Sequence, residues 1–262
     1  MAYETLQFDI DGEIGILTLN RPKAINAFNR KMVDELTEFW GERQSDSKVR
    51  VIILRGAGEK GFCSGLDVKD WKDIDRDPET GEFSPEAMYR RGQSYCSNLI
   101  SLMRACPQPI IAALHGPVMG GGLSFILAAD VRLASEDAFF CAQYINIGVG
   151  GADMGSSYFL WRIVGWGRAS EMCLTGRRVS AEEAYRIGLA NHIYSRDELM
   201  PAAMDMAKEM VSKSKLGLHL TKEALSAGLN LSSLKDALLM EDRNQVFMIA
   251  GGLMDMDIKR DS

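Results

Sequence analysis

The chain lacks the marks of most specialised protein classes. Its five cysteines, Cys63, Cys96, Cys106, Cys141 and Cys173, are scattered over 262 residues without a C-x-x-C pair, which suits neither a disulfide framework nor a zinc site. A reducing cytoplasm is the expected compartment. Charge of one sign is also scarce: 30 basic against 36 acidic side chains leave −6, with no global pull toward nucleic acid or an anionic membrane. Any anionic ligand has to be met locally. The opening residues carry Glu4, Asp9 and Asp11 with no basic stretch ahead of an apolar one, so they do not read as a secretory signal. The run from Ala105 to Ala129 has no charge and could span a bilayer if helical. His115, Gly116, Pro117 and the triplet Gly120, Gly121, Gly122 interrupt it, and proline with clustered glycine breaks helices. A buried strand, a turn and a buried helix are expected there instead.

What is present is ordinary globular material, 46% hydrophobic and 25% charged, enough for one sizeable core. At roughly 150 residues per domain, the length allows one large domain or a core with an appendage. Ile14 to Asn20, Val49 to Leu54 and Ile110 to Leu114 are short β-branched or leucine-rich runs that predict strands. Asn29 followed by Met32, Val33, Leu36, Phe39 and Trp40 predicts a capped helix with one buried face. Ser180 with Glu183 reads as a capping box for a helix to about Ile187, with a Gly188 stop and a strand near Ile193. This order is that of an α/β core with crossover connections. Lys69 to Arg91, dense in charge, reads as a solvated excursion. From Asp197 onward the pattern is helical, so the chain divides into a core, residues 1–196, and a helical segment, residues 197–262.

Two glycine patterns bear on function. Gly56, Gly58 and Gly61 form a literal G-x-G-x-x-G after a predicted strand. A dinucleotide site needs a helix to start at the last glycine, and Phe62, Cys63, Ser64, Gly65 is a poor start. The second pattern runs from His115 through Gly120, Gly121 and Gly122 into Leu123, Ser124, Phe125. Glycines at a helix N-terminus leave N–H groups unshielded at the positive end of the dipole, where an oxyanion is stabilised. Close packing of helix on sheet would use the same glycines. A companion loop of Gly65, Leu66 and Asp67 favours the donor reading.

With that pairing the chain resembles the crotonase, or enoyl-CoA hydratase/isomerase, superfamily. The resemblance rests on Asn20-Arg21-Pro22-Lys23-Ala24-Ile25-Asn26-Ala27, on Gly61 to Asp67, on Ile111 through the triple glycine to Asp130, and on Leu174-Thr175-Gly176 with Gly188-Leu189-Ala190. It covers about residues 5 to 250. It implies a ββα spiral core with a C-terminal helical segment, and a coenzyme A thioester as ligand. The thioester oxygen would lie between the N–H groups of Leu66 and Gly121. The nucleotide end would lie along Lys23, Ala24 and Asn26, with Ser64 and Asp67 from the next loop. Lys23 is the local cation expected to serve in the first loop, and an exposed turn lysine accounts for it equally well. The resemblance further implies a homotrimer or dimer of trimers and no cofactor beyond the CoA moiety of the substrate.

Hydratases of this family carry a glutamate two residues after the triple glycine and another twenty residues later. This chain has Ser124 and Tyr144 there, and neither hydroxyl is a competent base at neutral pH unaided. They could hold water, donate a hydrogen bond or pack. Asp153, the only ionisable side chain of the loop Gly148 to Gly155, is the candidate acid-base group. Dienoyl-CoA isomerases place an aspartate within one position of it. Capping of the helix from Ser156 is the structural alternative. The reading is an acyl-CoA-processing enzyme with Asp153 as principal acid-base group and Ser124 and Tyr144 assisting. Dienoyl-CoA isomerisation, carbon–carbon bond hydrolysis and non-catalytic acyl-CoA binding stay open. A serine hydrolase on Ser124 lacks the closing glycine of a nucleophile elbow. His115, Asp130 and Asp67 read as structural at element ends, and the fifteen methionines as adaptable packing.

Overall fold

A computed structural model describes residues 3–71 and 74–251. Strands β1 (Leu6–Asp11) and β2 (Ile14–Leu19) form an antiparallel hairpin. Helix α1 (Arg30–Arg43) starts where expected, with the Asn29 side chain accepting the Met32 N–H at 3.0 Å. Strand β3 (Val51–Gly56) precedes a long excursion that ends in the short helix α2 (Pro85–Met88), a π-helical turn (Tyr89–Gln93) and α3 (Ser94–Ala105). Next come β4 (Ile110–Leu114), β5 (Pro117–Met119) and α4 (Gly121–Leu127), which fulfil the strand, turn and helix expected of the uncharged run. Strands β6 (Val131–Ser135) and β7 (Phe139–Cys141), helices α5 (Ser156–Val164) and α6 (Trp166–Thr175), strand β8 (Arg178–Ser180), α7 (Ala181–Arg186) and β9 (His192–Tyr194) follow. Helices α8 (Leu199–Val211), α9 (Lys215–Gly228) and α10 (Leu234–Ala250) complete the described chain. Among the described residues no helix is long and apolar enough to cross a membrane.

The strands make two sheets, one in the order β1-β2-β3-β4-β6-β9 and a smaller one β5-β7-β8. From β2 to β9 every neighbour in the large sheet is parallel. A strand of the large sheet is twice followed, after two or three residues, by a strand of the small one: β4 by β5 and β6 by β7. With the helices between, this is a ββα spiral. A parallel strand covered on both faces reads as continuous apolar sequence, and β3 and β4 do. Ile52, Leu54, Ile110, Ala112 and Leu114 face the main core with α1, α3 and α4, while Val51, Ile53, Ile111 and Ala113 face α8.

That second face moves the expected boundary at residue 196. Ala203 and Ala207 of α8 are fully buried against the large sheet, so α8 belongs to the core, and only α9 and α10 stand aside. Lys222 ties α9 back: its buried ammonium donates to Gln108 O at 2.7 Å and meets Asp130 Oδ2 at 2.9 Å. Asp130 also takes Arg104 and the Ile110 N–H, the structural role expected of it. Leu234, Leu239, Val246 and Phe247 of α10 are exposed. The capping box is half formed. Ser180 Oγ accepts the Glu183 N–H at 3.2 Å, but the Glu183 carboxylate turns to Arg177 at 2.6 and 2.8 Å.

The dinucleotide reading fails on this geometry. No helix follows Gly61: Phe62 N–H donates to His115 O and Cys63 N–H to Pro117 O, so the loop runs alongside β5. A Cβ on Gly61 would lie 2.4 Å from Pro117 Cδ, and close approach is what this glycine serves. His115, likewise, is a buried core group bonded to Gly58 O at 2.9 Å and biased toward its neutral form by burial.

Candidate active site

Two loops meet at the end of the small sheet. In the first, Phe28 and Leu66 pair as a parallel bridge: Phe28 N–H donates to Gly65 O, and Asp67 N–H to Phe28 O. In such a bridge the N–H of the central residue points the other way, and Leu66 N–H takes no acceptor among the described residues. The second loop leads through Gly120 into α4. Gly121 N–H belongs to the unpaired first turn of that helix. Gly65 brings the loops together. Its φ is +98°, and a Cβ there would lie 3.0 Å from Met119 O and 3.3 Å from Gly121 N. Two free backbone donors thus flank one space, at the positive end of a helix.

That space opens into a cavity of about 550 Å³, within the range of small-molecule sites. Its walls are largely apolar, with Phe28, Trp71, Ile74, Met88, Ile147 and Met154 among them. The charged excursion is therefore only partly solvated. Trp71 and Ile74 are buried, Trp71 Nε1 donates to Phe28 O at 2.8 Å, and Gly92 packs on Ile74. The sequence held one signal for this wall, a tryptophan inside a run of charges.

The polar side of the cavity is Tyr144, Asp153, Gln93 and Gln143. Ser124 on α4 and Tyr144, twenty positions apart in sequence, meet with Oγ and OH 2.5 Å apart. Ser124 Oγ also lies 2.7 Å from Asp153 O. A carbonyl only accepts and a serine hydroxyl has one proton, so Ser124 donates to Asp153 O and Tyr144 donates to Ser124. The chain of donors ends on a backbone carbonyl, which can hold no proton. Burial and the nearby Asp153 push the Tyr144 hydroxyl well above its ordinary range. Ser124 is fully buried and bonds no histidine, so the geometry of a serine nucleophile is absent.

Asp153 is held at its main chain and at one carboxylate oxygen. Its N–H donates to Ser156 Oγ at 2.9 Å, and its Oδ1 accepts the Met154 N–H at 2.7 Å and the Gln93 side-chain amide. It does not cap α5 through its side chain: the N-cap is Gly155. Burial raises the Asp153 pKa above the usual carboxylate value, against the lowering effect of these two donors. Among the described residues Asp153 is the only acidic side chain on the cavity wall. Gln93 and Gln143 were not singled out in the sequence, where an amide carries no signature.

The residues expected at the nucleotide end divide in two. Lys23 is exposed and Ala24 half-buried in the turn Pro22–Ala24. Asn26, by contrast, is enclosed: its side chain accepts the Arg21 N–H and donates to the carbonyls of Ala57, Gly61 and Phe62. That corrects its place as a ligand contact, because a fully bonded, fully buried amide holds the two loops in register. Ser64 Oγ donates to Ala24 O at 3.2 Å, and Asp67 pairs with Arg21 at 2.9 Å. Among the described residues no three His, Cys, Asp or Glu side chains converge as metal ligands.

Comparison with known proteins agrees with this architecture. The family model described as enoyl-CoA hydratase/isomerase matches residues 9–252. A probable enoyl-CoA hydratase of Mycobacterium leprae is 39% identical over 236 residues, 90% of this chain and 79% of that protein. Among solved structures, a probable enoyl-CoA hydratase/isomerase from Mycobacterium abscessus superposes with a TM-score of 0.84 at 34% identity, covering 94% of this chain and 90% of that one. A monofunctional enoyl-CoA isomerase from Mycobacterium smegmatis superposes with a TM-score of 0.72 at 34% identity, covering 89% and 98%. The chain therefore belongs to the enoyl-CoA hydratase/isomerase family.

Proposed function

We propose that the protein moves a proton within an enoyl-CoA thioester, with Asp153 as base and then acid. The thioester oxygen lies between the Leu66 and Gly121 N–H groups. Asp153 takes a proton from C2 of a 3-enoyl thioester, the electron pair shifts toward the carbonyl, and the resulting dienolate oxygen is held by the two donors. Return of that proton to C4 leaves the double bond between C2 and C3. Preorganised donors stabilise such an oxyanion by several kcal/mol, about 2.7–4 for a single donor in measured cases. The reading is carried by Asp153 being, among the described residues, the one acidic side chain on the cavity wall while the Ser124 and Tyr144 hydroxyls are spent on each other and on a carbonyl. Ser124 and Tyr144 then position the Asp153 loop.

Hydration of a 2-enoyl thioester is the second reading, favoured by the hydratase names of relatives up to 39% identical. Product mass separates the two. With 3-enoyl- and 2-enoyl-CoA as probes, isomerisation leaves mass unchanged and migrates the double bond. A dominant +18 product from the 2-enoyl probe would replace the first reading by the second.

A proton transfer of this kind is redox-neutral and asks for no cofactor beyond the substrate's CoA. Lys23 and Ala24 would meet the nucleotide end, while Ser64, Asp67 and Asn26 shape the loops there. The exposed apolar side chains of α10 suit a homotrimer or dimer of trimers, and five free thiols suit the cytoplasm.

A further inference from the structure

We propose that Gln93 is the positioning residue of the acid-base group: its side-chain amide holds one oxygen of Asp153 and leaves the other to the substrate. The proposal rests on the reading of Asp153 given above.

The geometry is a division of labour between two carboxylate oxygens. Oδ1 receives two donors, the Met154 N–H from the same loop and the Gln93 amide from the π-helical turn ahead of α3. Oδ2 has no hydrogen-bond partner among the described residues, and both Asp153 and Gln93 line the cavity. An aspartate with one oxygen doubly bonded cannot rotate about its terminal torsion without losing both bonds, so the lone pairs of Oδ2 stay directed. The Met154 contact is local and comes from the next residue in the chain. The Gln93 contact crosses 60 positions and comes from a different wall, so it fixes where the carboxylate stands in the cavity.

The setting of Gln93 fits that task. A π-helical turn inserts one extra residue into a helix and re-aims a side chain, and such turns concentrate at functional sites. Here it lies between Met88, on the cavity wall, and Cys96, also on the wall. Gln93 carries no charge, so it can donate without neutralising the base as a lysine or arginine would. Among the described residues the titratable groups that face Asp153 are Tyr144, from the turn after β7, and Cys96, from α3. Burial raises both, the Cys96 thiol to about 12, so both are neutral when Asp153 ionises. No cation pairs with Asp153 among the described residues. Among the described residues the Gln93 amide and the Met154 N–H are therefore the groups that favour its ionised form.

The test uses the full chain with 3-enoyl-CoA as probe, measuring kcat, KM and the pH dependence of kcat/KM for Gln93→Leu and Gln93→Glu. Gln93→Leu keeps bulk and removes the donor. It is expected to lower kcat by about tenfold to a hundredfold, with KM changed much less, the range seen when groups that orient a reacting ligand are removed. Its ascending pH limb moves to higher pH because a donor to the ionised form is gone. Gln93→Glu keeps the shape and sets a second carboxylate beside Asp153. It is expected to move that limb further up, since like charge disfavours ionisation. A role confined to packing would leave the limb where it is. If Asp153→Asn abolishes turnover while both Gln93 variants keep the kcat and the pH limb of the natural chain, the positioning role is overturned and the base reading stands. If Asp153→Asn leaves turnover intact, the base reading falls and this proposal falls with it.

Discussion

The two sides of the cavity are built from different materials. On the donor side, the proposed chemistry sits in the main chain: the Leu66 and Gly121 N–H groups, set by a parallel bridge, a helix start and a glycine that lets the loops touch. On the carboxylate side, it sits in the side chains of Asp153, Gln93, Ser124 and Tyr144, each held by another side chain or by a carbonyl. The first side should tolerate changes of side chain and fail when backbone geometry changes. The second should do the reverse.

The largest effect belongs to Asp153→Asn, which keeps size and loses the proposed base. Turnover is expected to fall by roughly 10²–10⁴, the span of general acid-base catalysis, as read in the steady-state rate. Close behind, Gly65→Ala alters only the donor side: a Cβ 3.0 Å from Met119 O at φ +98° must push the loops apart. A loss of about 10²–10³ in kcat, that of one misplaced donor, is expected with the protein still folded by circular dichroism. Ser124→Ala leaves Tyr144 and the Asp153 carbonyl without their bonds in a buried place, costing about 1–3 kcal/mol of stability, readable as a melting point lower by several degrees. Activity should drop less than for Asp153→Asn, and an equal loss would make Ser124 part of the proton transfer. The smallest effect sharpens the comparison most. Leu66 is 42% exposed and is proposed to act through its N–H, so Leu66→Ala should leave kcat within about threefold, the scale of about 0.5 kcal/mol for surface changes.

The pH profile distinguishes the sides as well. Burial holds Asp153 above the ordinary carboxylate range, and a base works ionised, so kcat/KM should rise with pH through a midpoint above about 3.9 and fall away below it. The proposed donors of the other side are backbone N–H groups, which do not titrate in this range, and they add no limb of their own.

The donor side was the more legible in sequence. Gly65, Gly120 and the strand and helix around them announce themselves, because glycine and uncharged apolar runs are scarce signals with few physical meanings. So were β4, the start of α1 and the structural duties of His115 and Asp130. The carboxylate side was legible only as far as Asp153, the single acid of a glycine-rich loop. That Ser124 and Tyr144 form a donor chain, and that Gln93 reaches across 60 positions, depends on tertiary contacts between polar groups of common type. The wall residues Trp71, Ile74, Met88 and Gln93 were hidden for a related reason: a segment with many charges can still turn a few apolar side chains inward. Strands β5, β7 and β8, three residues each, are too short to show a period. Helix α8 lay beyond the expected boundary because a helical pattern does not say what it packs against.

The bridge between Phe28 and Leu66 has one more consequence, in the rates at which amide protons exchange with solvent. Along the loop, the Asp67 N–H is committed to Phe28 O while its neighbour at Leu66 is open. In the ligand-free protein the Leu66 proton should exchange fast and the Asp67 proton slowly, one residue apart. A thioester bound in the cavity would slow the first and leave the second as it was, so this pair of adjacent amides reports occupancy of the site without any label on the ligand.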